Sequence, residues 1–198
     1  MRLACVERRR PLLQPIEIRT GDVAFAGTTA RGHAAVFNTW TRIAGLFDER
    51  LDPSCFTRTL KQQPDVLALW NHSPDALLGR TTAGTLRLAT DSKGLSFELD
   101  LDPRSPTGAL ALSAIERGDA HGCSFGFSVL GESWEDDDSW ERPRRTITDV
   151  ALYEITVTPT PAYETTTASL RSDSPNAANA RRRVIEKAEA AMRLRGIR

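Results

Sequence analysis

From residue 16 to residue 158 the apolar positions fall mostly in short alternating runs, the period that strands impose. Ile16 to Arg19 and Val23 to Ala26 alternate enough for two short strands, and Gly32 to Asn38 predicts a stronger one that ends on a turn residue. Val66 to Trp70 is a continuous apolar run of strand length, as expected of a segment covered on both faces. Thr85 to Ala89 and Leu95 to Leu101, separated by a turn that contains Gly94, predict a hairpin. In Gly122 to Ser128 the alternation puts Cys123, Phe125, Phe127 and Val129 on one face and Gly122, Ser124, Gly126 and Ser128 on the other. Arg145 to Thr158 predicts a long strand with Tyr153, Ile155 and Val157 on one side, Glu154 and Thr156 on the other.

Helical spacing is rarer. Ser54 is placed to cap a short helix carrying Phe56 and Leu60, which Pro64 ends. Thr107 to Gly118 has an apolar stripe of Leu110, Ala114 and Ile115 and a terminating glycine. Arg181 to Arg195 can form an amphipathic helix with Val184, Ala188 and Met192 on one side. Seven or so strands with two short helices in the body predict a mainly β, α+β domain of barrel-like form.

Charge divides the chain further. Residues 171–198 hold eight Lys/Arg and three Asp/Glu, a surplus of +5, against 18 and 23 in residues 1–170. With the Ser/Asn/Ala/Pro stretch at 172–180, this predicts three parts: a loose leader over 1–14, a domain over 15–171, and a basic linker and helical tail over 172–198. Three widely spaced cysteines, Cys5, Cys55 and Cys123, form no Cys-x-x-Cys pair, which argues for a reducing compartment without a disulfide framework or structural zinc. No apolar run approaches a membrane span, and the acidic body argues against specific nucleic-acid binding. No phosphate loop or metal-ligand cluster is present, His121-x-Cys123 being too little for a metal site, so neither a cofactor nor a metal is expected.

Ser124 is a lone hydroxyl between two glycines and a candidate nucleophile; it needs a base. His72 follows the buried-looking Val66 to Trp70 strand in the turn Asn71-His72-Ser73-Pro74-Asp75, a rigid place for a proton carrier. The base gains from a third group that holds its tautomer. Glu154 is the best candidate because it interrupts an apolar strand, where an unpaired carboxylate is costly; Asp75 is the runner-up, with local turn bonding as its simpler role. Cys123 is the better intrinsic nucleophile, but alternation turns it away from any base that faces Ser124. His121 and His33 read as ordinary histidines. A non-enzymatic β-domain would account for the same small-residue strand as a close-packing surface.

The run Leu69-Trp70-Asn71-His72-Ser73-Pro74-Asp75 with Leu78-Gly79-Arg80-Thr81, then Gly118-Asp119, Gly122-Cys123-Ser124-Phe125-Gly126-Phe127, Leu152-Tyr153-Glu154 and Pro161-Ala162-Tyr163, resembles the prohead proteases of tailed phages. Gly32 to Phe37 and Asp52 to Phe56 extend the resemblance over about residues 15–171. It implies a fold similar to the herpesvirus assembly proteases, a β-barrel wrapped by helices. It also implies a serine endopeptidase that cuts scaffold or capsid-protein pro-segments inside the immature capsid in the bacterial cytoplasm, the non-enzymatic alternative being a β-domain that assists capsid or tail assembly. The charge reversal and the linker at 172–180 suggest, separately, a tail that tethers the chain to a scaffold or capsid partner and is itself cut off. Ser124 would attack, His72 act as base and then acid, and Glu154 orient His72. The major capsid protein and its scaffold segment are the implied partners, with a homodimer open. Two departures stand out: Cys123 where a Met is common, and Thr156-Val157-Thr158-Pro159 where a Ser-Pro run is expected after the glutamate.

Overall fold

A computed structural model describes residues 17–43, 45–159, and Arg182, Val184 and Glu186 of the C-terminal segment. The leader, Cys5, Pro161-Ala162-Tyr163 and the linker at 172–180 lie outside the described residues. The elements are β1 (Glu17–Ala26), β2 (Thr29–Val36), β3 (Thr41–Ile43), β4 (Phe47–Leu51), α1 (Thr57–Lys61), β5 (Leu67–Trp70), β6 (Ser73–Arg80), β7 (Leu86–Thr90), β8 (Gly94–Asp100), α2 (Pro106–Glu116), β9 (Gly122–Glu135) and β10 (Arg144–Thr158). The ten strands form one sheet in the order β3-β4-β10-β9-β1-β2-β8-β7, with β5 paired to β10 and β6 hung on β5.

Between residues 17 and 159 the described residues are mainly β with two short helices, as the pattern predicts. The barrel is not: the order runs from β3 to β7 without a pairing that joins its ends, so among the described residues the sheet stays open. β10 organises it. One edge runs antiparallel along β9; the other takes β4 in parallel over Arg144–Ile147 and β5 in parallel over Glu154–Val157. The core lies between sheet and helices, and an aromatic series runs through it: Phe37 to Phe56 at 6.1 Å, Phe56 to Phe125 at 5.8 Å, Phe125 to Phe127 at 4.7 Å.

Several local expectations change. The two strands predicted over 16–26 are one, β1, because β2 and β9 pair along it from both sides. Ser54 does not cap α1; the cap position is Phe56, and the Ser54 hydroxyl turns back to the Asp52 carboxylate. Helix α2 begins one residue earlier than expected, with Ser105 accepting from the Gly108 amide and Pro106 at the first position. Its buried face is Gly108, Ala111, Ala114 and Ile115, while Leu110 is exposed. Gly118 ends it as expected, at φ 76°, with its amide to Ile115 O and the Asp119 amide to Ala114 O.

Along β10 the core-facing phase shifts twice. Arg145 and Ile147 are buried at odd positions, Val150 and Leu152 at even ones, Ile155 and Val157 again at odd ones, and register shifts mark both changes. Tyr153 is the extra residue of the second shift and is exposed, so it does not share a face with Ile155 and Val157 as the plain alternation predicted.

Candidate active site

The second shift determines which side chains share the face of Ser124. Beyond it Ser124 stands directly opposite Thr156, and Gly126 opposite Glu154, while Cys123 and Phe125 pair with Val157 and Ile155 on the core side. Directly opposed residues of an antiparallel pair project to the same side. Ser124, Glu154 and Thr156 therefore line one face.

His72 reaches this face from the next strand. Trp70 of β5 pairs with Ser73 of β6, which leaves Asn71 and His72 as a two-residue hairpin loop, both with positive φ (51° and 57°). Two central residues with φ > 0 are the mark of the type I′ turn, and Asn and His are among the non-glycine residues that tolerate it best. The turn is tied to β10 at three points. The Asn71 amide donates to Val157 O (3.0 Å), Thr158 Oγ1 donates to Asn71 Oδ1 (3.0 Å), and the His72 amide donates to Thr156 Oγ1 (3.2 Å).

The imidazole turns back over the strand. His72 Nδ1 lies 2.8 Å from Glu154 Oε1, and the other carboxylate oxygen, Oε2, accepts from Thr156 Oγ1 at 2.8 Å. A carboxylate accepts, so in the neutral ring Nδ1 carries the proton and Nε2 the lone pair. Both His72 Nε2 and Ser124 Oγ are buried and have no hydrogen-bond partner among the described residues. Each unpaired buried polar atom costs about 1–3 kcal/mol, so two on the strand face of Glu154 need a reason. They are the acceptor and the donor that a serine-to-imidazole proton transfer uses.

The other candidates are placed elsewhere. Asp75 is exposed on β6 and Glu154 takes the position at the imidazole, so the runner-up for the third role falls away from it. His121 is exposed just before β9. His33 pairs with Asp91 at 2.8 Å on the β2 side of the sheet. Cys123 is fully buried in the core with Phe125 and Phe127, and burial pushes its thiol above the ordinary range; the Cys55 thiol is pushed up to about 12 for the same reason. No cluster of metal-ligating side chains occurs among the described residues, and none of their helices is long and apolar enough to cross a membrane. The groove lined by Arg31, His33, Arg87 and Glu98 shares no residue with the Ser124 face.

Thr156 and Thr158 are the residues that sequence reasoning passed over. They stood out only as a departure from an expected Ser-Pro run, and their alternation on the Glu154 side was the available signal.

A hydroxyl, an imidazole and a carboxylate brought to one strand face are the chemical equipment of serine hydrolases. The caudovirus prohead serine protease family model matches residues 14–180, and the chain belongs to that family. No curated protein and no solved structure shows a significant match.

Proposed function

We propose that this chain is a Ser-His-Glu endopeptidase that cuts scaffold or capsid-protein pro-segments inside the immature capsid, with its own basic C-terminal segment as a further substrate. The observation that carries this reading is the pair of buried, unpartnered atoms, Ser124 Oγ and His72 Nε2, on the strand face where Glu154 holds the other nitrogen of the imidazole. Ser124 Oγ attacks the scissile carbonyl while His72 Nε2 takes its proton. The imidazolium so formed is stabilised by Glu154 and then protonates the leaving amine, and a water activated by His72 releases the acyl group. The expected likeness to the herpesvirus assembly proteases belongs to the same reading; superposition on an experimental structure of one of them tests it.

Co-expression with the neighbouring capsid and scaffold proteins, read by intact mass, tests the activity. Wild type cuts; Ser124→Ala and His72→Ala leave every chain full length; Cys123→Ala still cuts. Processing that survives Ser124→Ala moves the nucleophile to Cys123. A wild type that cuts nothing in assembled shells favours a β-domain with a structural role.

A further inference from the structure

Thr156 sits at the centre of the site yet is none of the three residues assigned above. Its hydroxyl has one proton and two lone pairs. The proton goes to Glu154 Oε2 at 2.8 Å, and a lone pair accepts the His72 amide at 3.2 Å. Glu154 Oε1 in turn takes the His72 ring at Nδ1, 2.8 Å away. The three bonds close a circuit that leaves His72 from its backbone and returns to it at its ring.

The circuit matters because His72 is held at φ 57°, in a left-handed region that most side-chain-bearing residues avoid and histidine only tolerates, in a turn whose other central residue is also left-handed. The Asn71 bonds to Val157 and Thr158 fix the turn's first residue. Among the described residues only Thr156 bonds both the backbone of His72 and the carboxylate that holds its ring. It is itself fully buried, and its β-branched side chain has little freedom about χ1 on a strand, so the hydroxyl stays where both bonds need it. Directly across the ladder is Ser124, so the residue that sets the histidine also flanks the nucleophile.

We propose that Thr156 is the positioning residue of this site: through its two hydrogen bonds it locks the His72 turn and the Glu154 carboxylate in the mutual geometry that proton transfer from Ser124 requires, without touching the substrate. This rests on Ser124, His72 and Glu154 acting as proposed.

The test uses the full chain and a fluorophosphonate probe, whose phosphorus accepts Ser124 Oγ as fluoride leaves and the serine proton passes to His72. Thr156→Val keeps shape and branching and removes the hydroxyl. Its limiting labelling rate falls by about 10- to 100-fold, as small misplacements of reacting groups do, while the half-saturating probe concentration is unchanged. Thr156→Ser restores the rate to within about threefold of wild type. The low-field proton resonance of His72 Nδ1–H, present in wild type and in Ser124→Ala, broadens or disappears in Thr156→Val and returns in Thr156→Ser; this reading needs no turnover. Should Thr156→Val not fold, Thr156→Ala carries the same predictions against Thr156→Ser. A hydroxyl-free variant with the wild-type rate and resonance, or a Ser variant as impaired as Val, overturns the proposal. Labelling that persists at full rate in Ser124→Ala overturns the assignment beneath it instead, whatever Thr156 does.

Discussion

A carboxylate inside a strand is tolerated when both oxygens have donors, and Glu154 has one on each: the His72 ring on Oε1 and the Thr156 hydroxyl on Oε2. Glu154→Gln keeps the volume and removes the charge that stabilises the imidazolium. We expect the labelling rate to fall by about 10²- to 10⁴-fold with the fold intact, as measured by probe kinetics beside a melting curve. An unaffected rate would pass the third role to water. At this scale the sequence was informative wherever chemistry is rare: a polar residue in an apolar strand, a histidine after a rigid one. It put Thr156 on the side of Glu154 but assigned it no role, because threonine on a strand is explained by β-propensity alone and only the contact across to His72 distinguishes it. The cysteines make a complementary prediction. With burial holding the Cys55 thiol at about 12 and the Cys123 thiol still further up, neither is a thiolate near neutrality. Iodoacetamide at about pH 8 leaves both unmodified in the native protein and modifies both in denaturant, as peptide mass mapping would show; rapid native alkylation of Cys123 would reopen its candidacy.

Among the elements, the existence of most strands was legible and their phase was not. β4 reads Phe47-Asp48-Glu49-Arg50-Leu51 with every odd residue buried, but Glu49 in a core position disguises the alternation. Likewise the extra residue at Tyr153 reverses the phase of β10, and its trace in the sequence is that the apolar residues move from even positions (Val150, Leu152) to odd ones (Ile155, Val157). Turns follow simpler rules. The β7–β8 hairpin, expected from Gly94, closes on Asp91, whose carboxyl is held down at about 2 by the His33 hydrogen bond and by the Gly94 and Lys93 amides. A carboxyl depressed in the folded state adds stability that is complete above its unfolded value, about 3.9, and is lost as pH falls toward the folded one. Between about pH 4 and about pH 2, Asp91→Asn therefore shows a shallower loss of stability than wild type. The pair is exposed, so added salt narrows the difference. Urea midpoints across that range would measure it; parallel curves would remove Asp91 from the acid response.

In the whole molecule a second, smaller core gathers Ile43, Phe47, Trp134 and Val184 beside the buried guanidinium of Arg145, which bridges Glu49 at 2.8 Å and Glu132 at 2.7 Å. Removing Arg145 strands two carboxylates out of water. Arg145→Leu is expected to cost about 3–5 kcal/mol, read from urea unfolding. Val184 belongs to the segment that composition separates from the domain, and it lies beyond the residues that the family model matches, yet it is only 4% exposed. Net charge describes solubility and attraction, whereas the burial of Val184 depends on one apolar side chain, which a surplus of arginines in the sequence hides. Burying a valine side chain is worth about 2 kcal/mol, which in a domain of this size corresponds to about 4–8 °C of melting temperature. Val184→Asp should lower the melting temperature by that much and shift Trp134 emission to the red, while the folded fraction keeps its labelling rate, since this cluster shares no residue with the Ser124 face. If melting and emission stay at wild-type values, the segment is a separable tail and its arginines are free to tether the enzyme to a capsid partner. If both change, the same arginines ride on a helix fixed to the body, and any partner they hold is held at a set distance from Ser124.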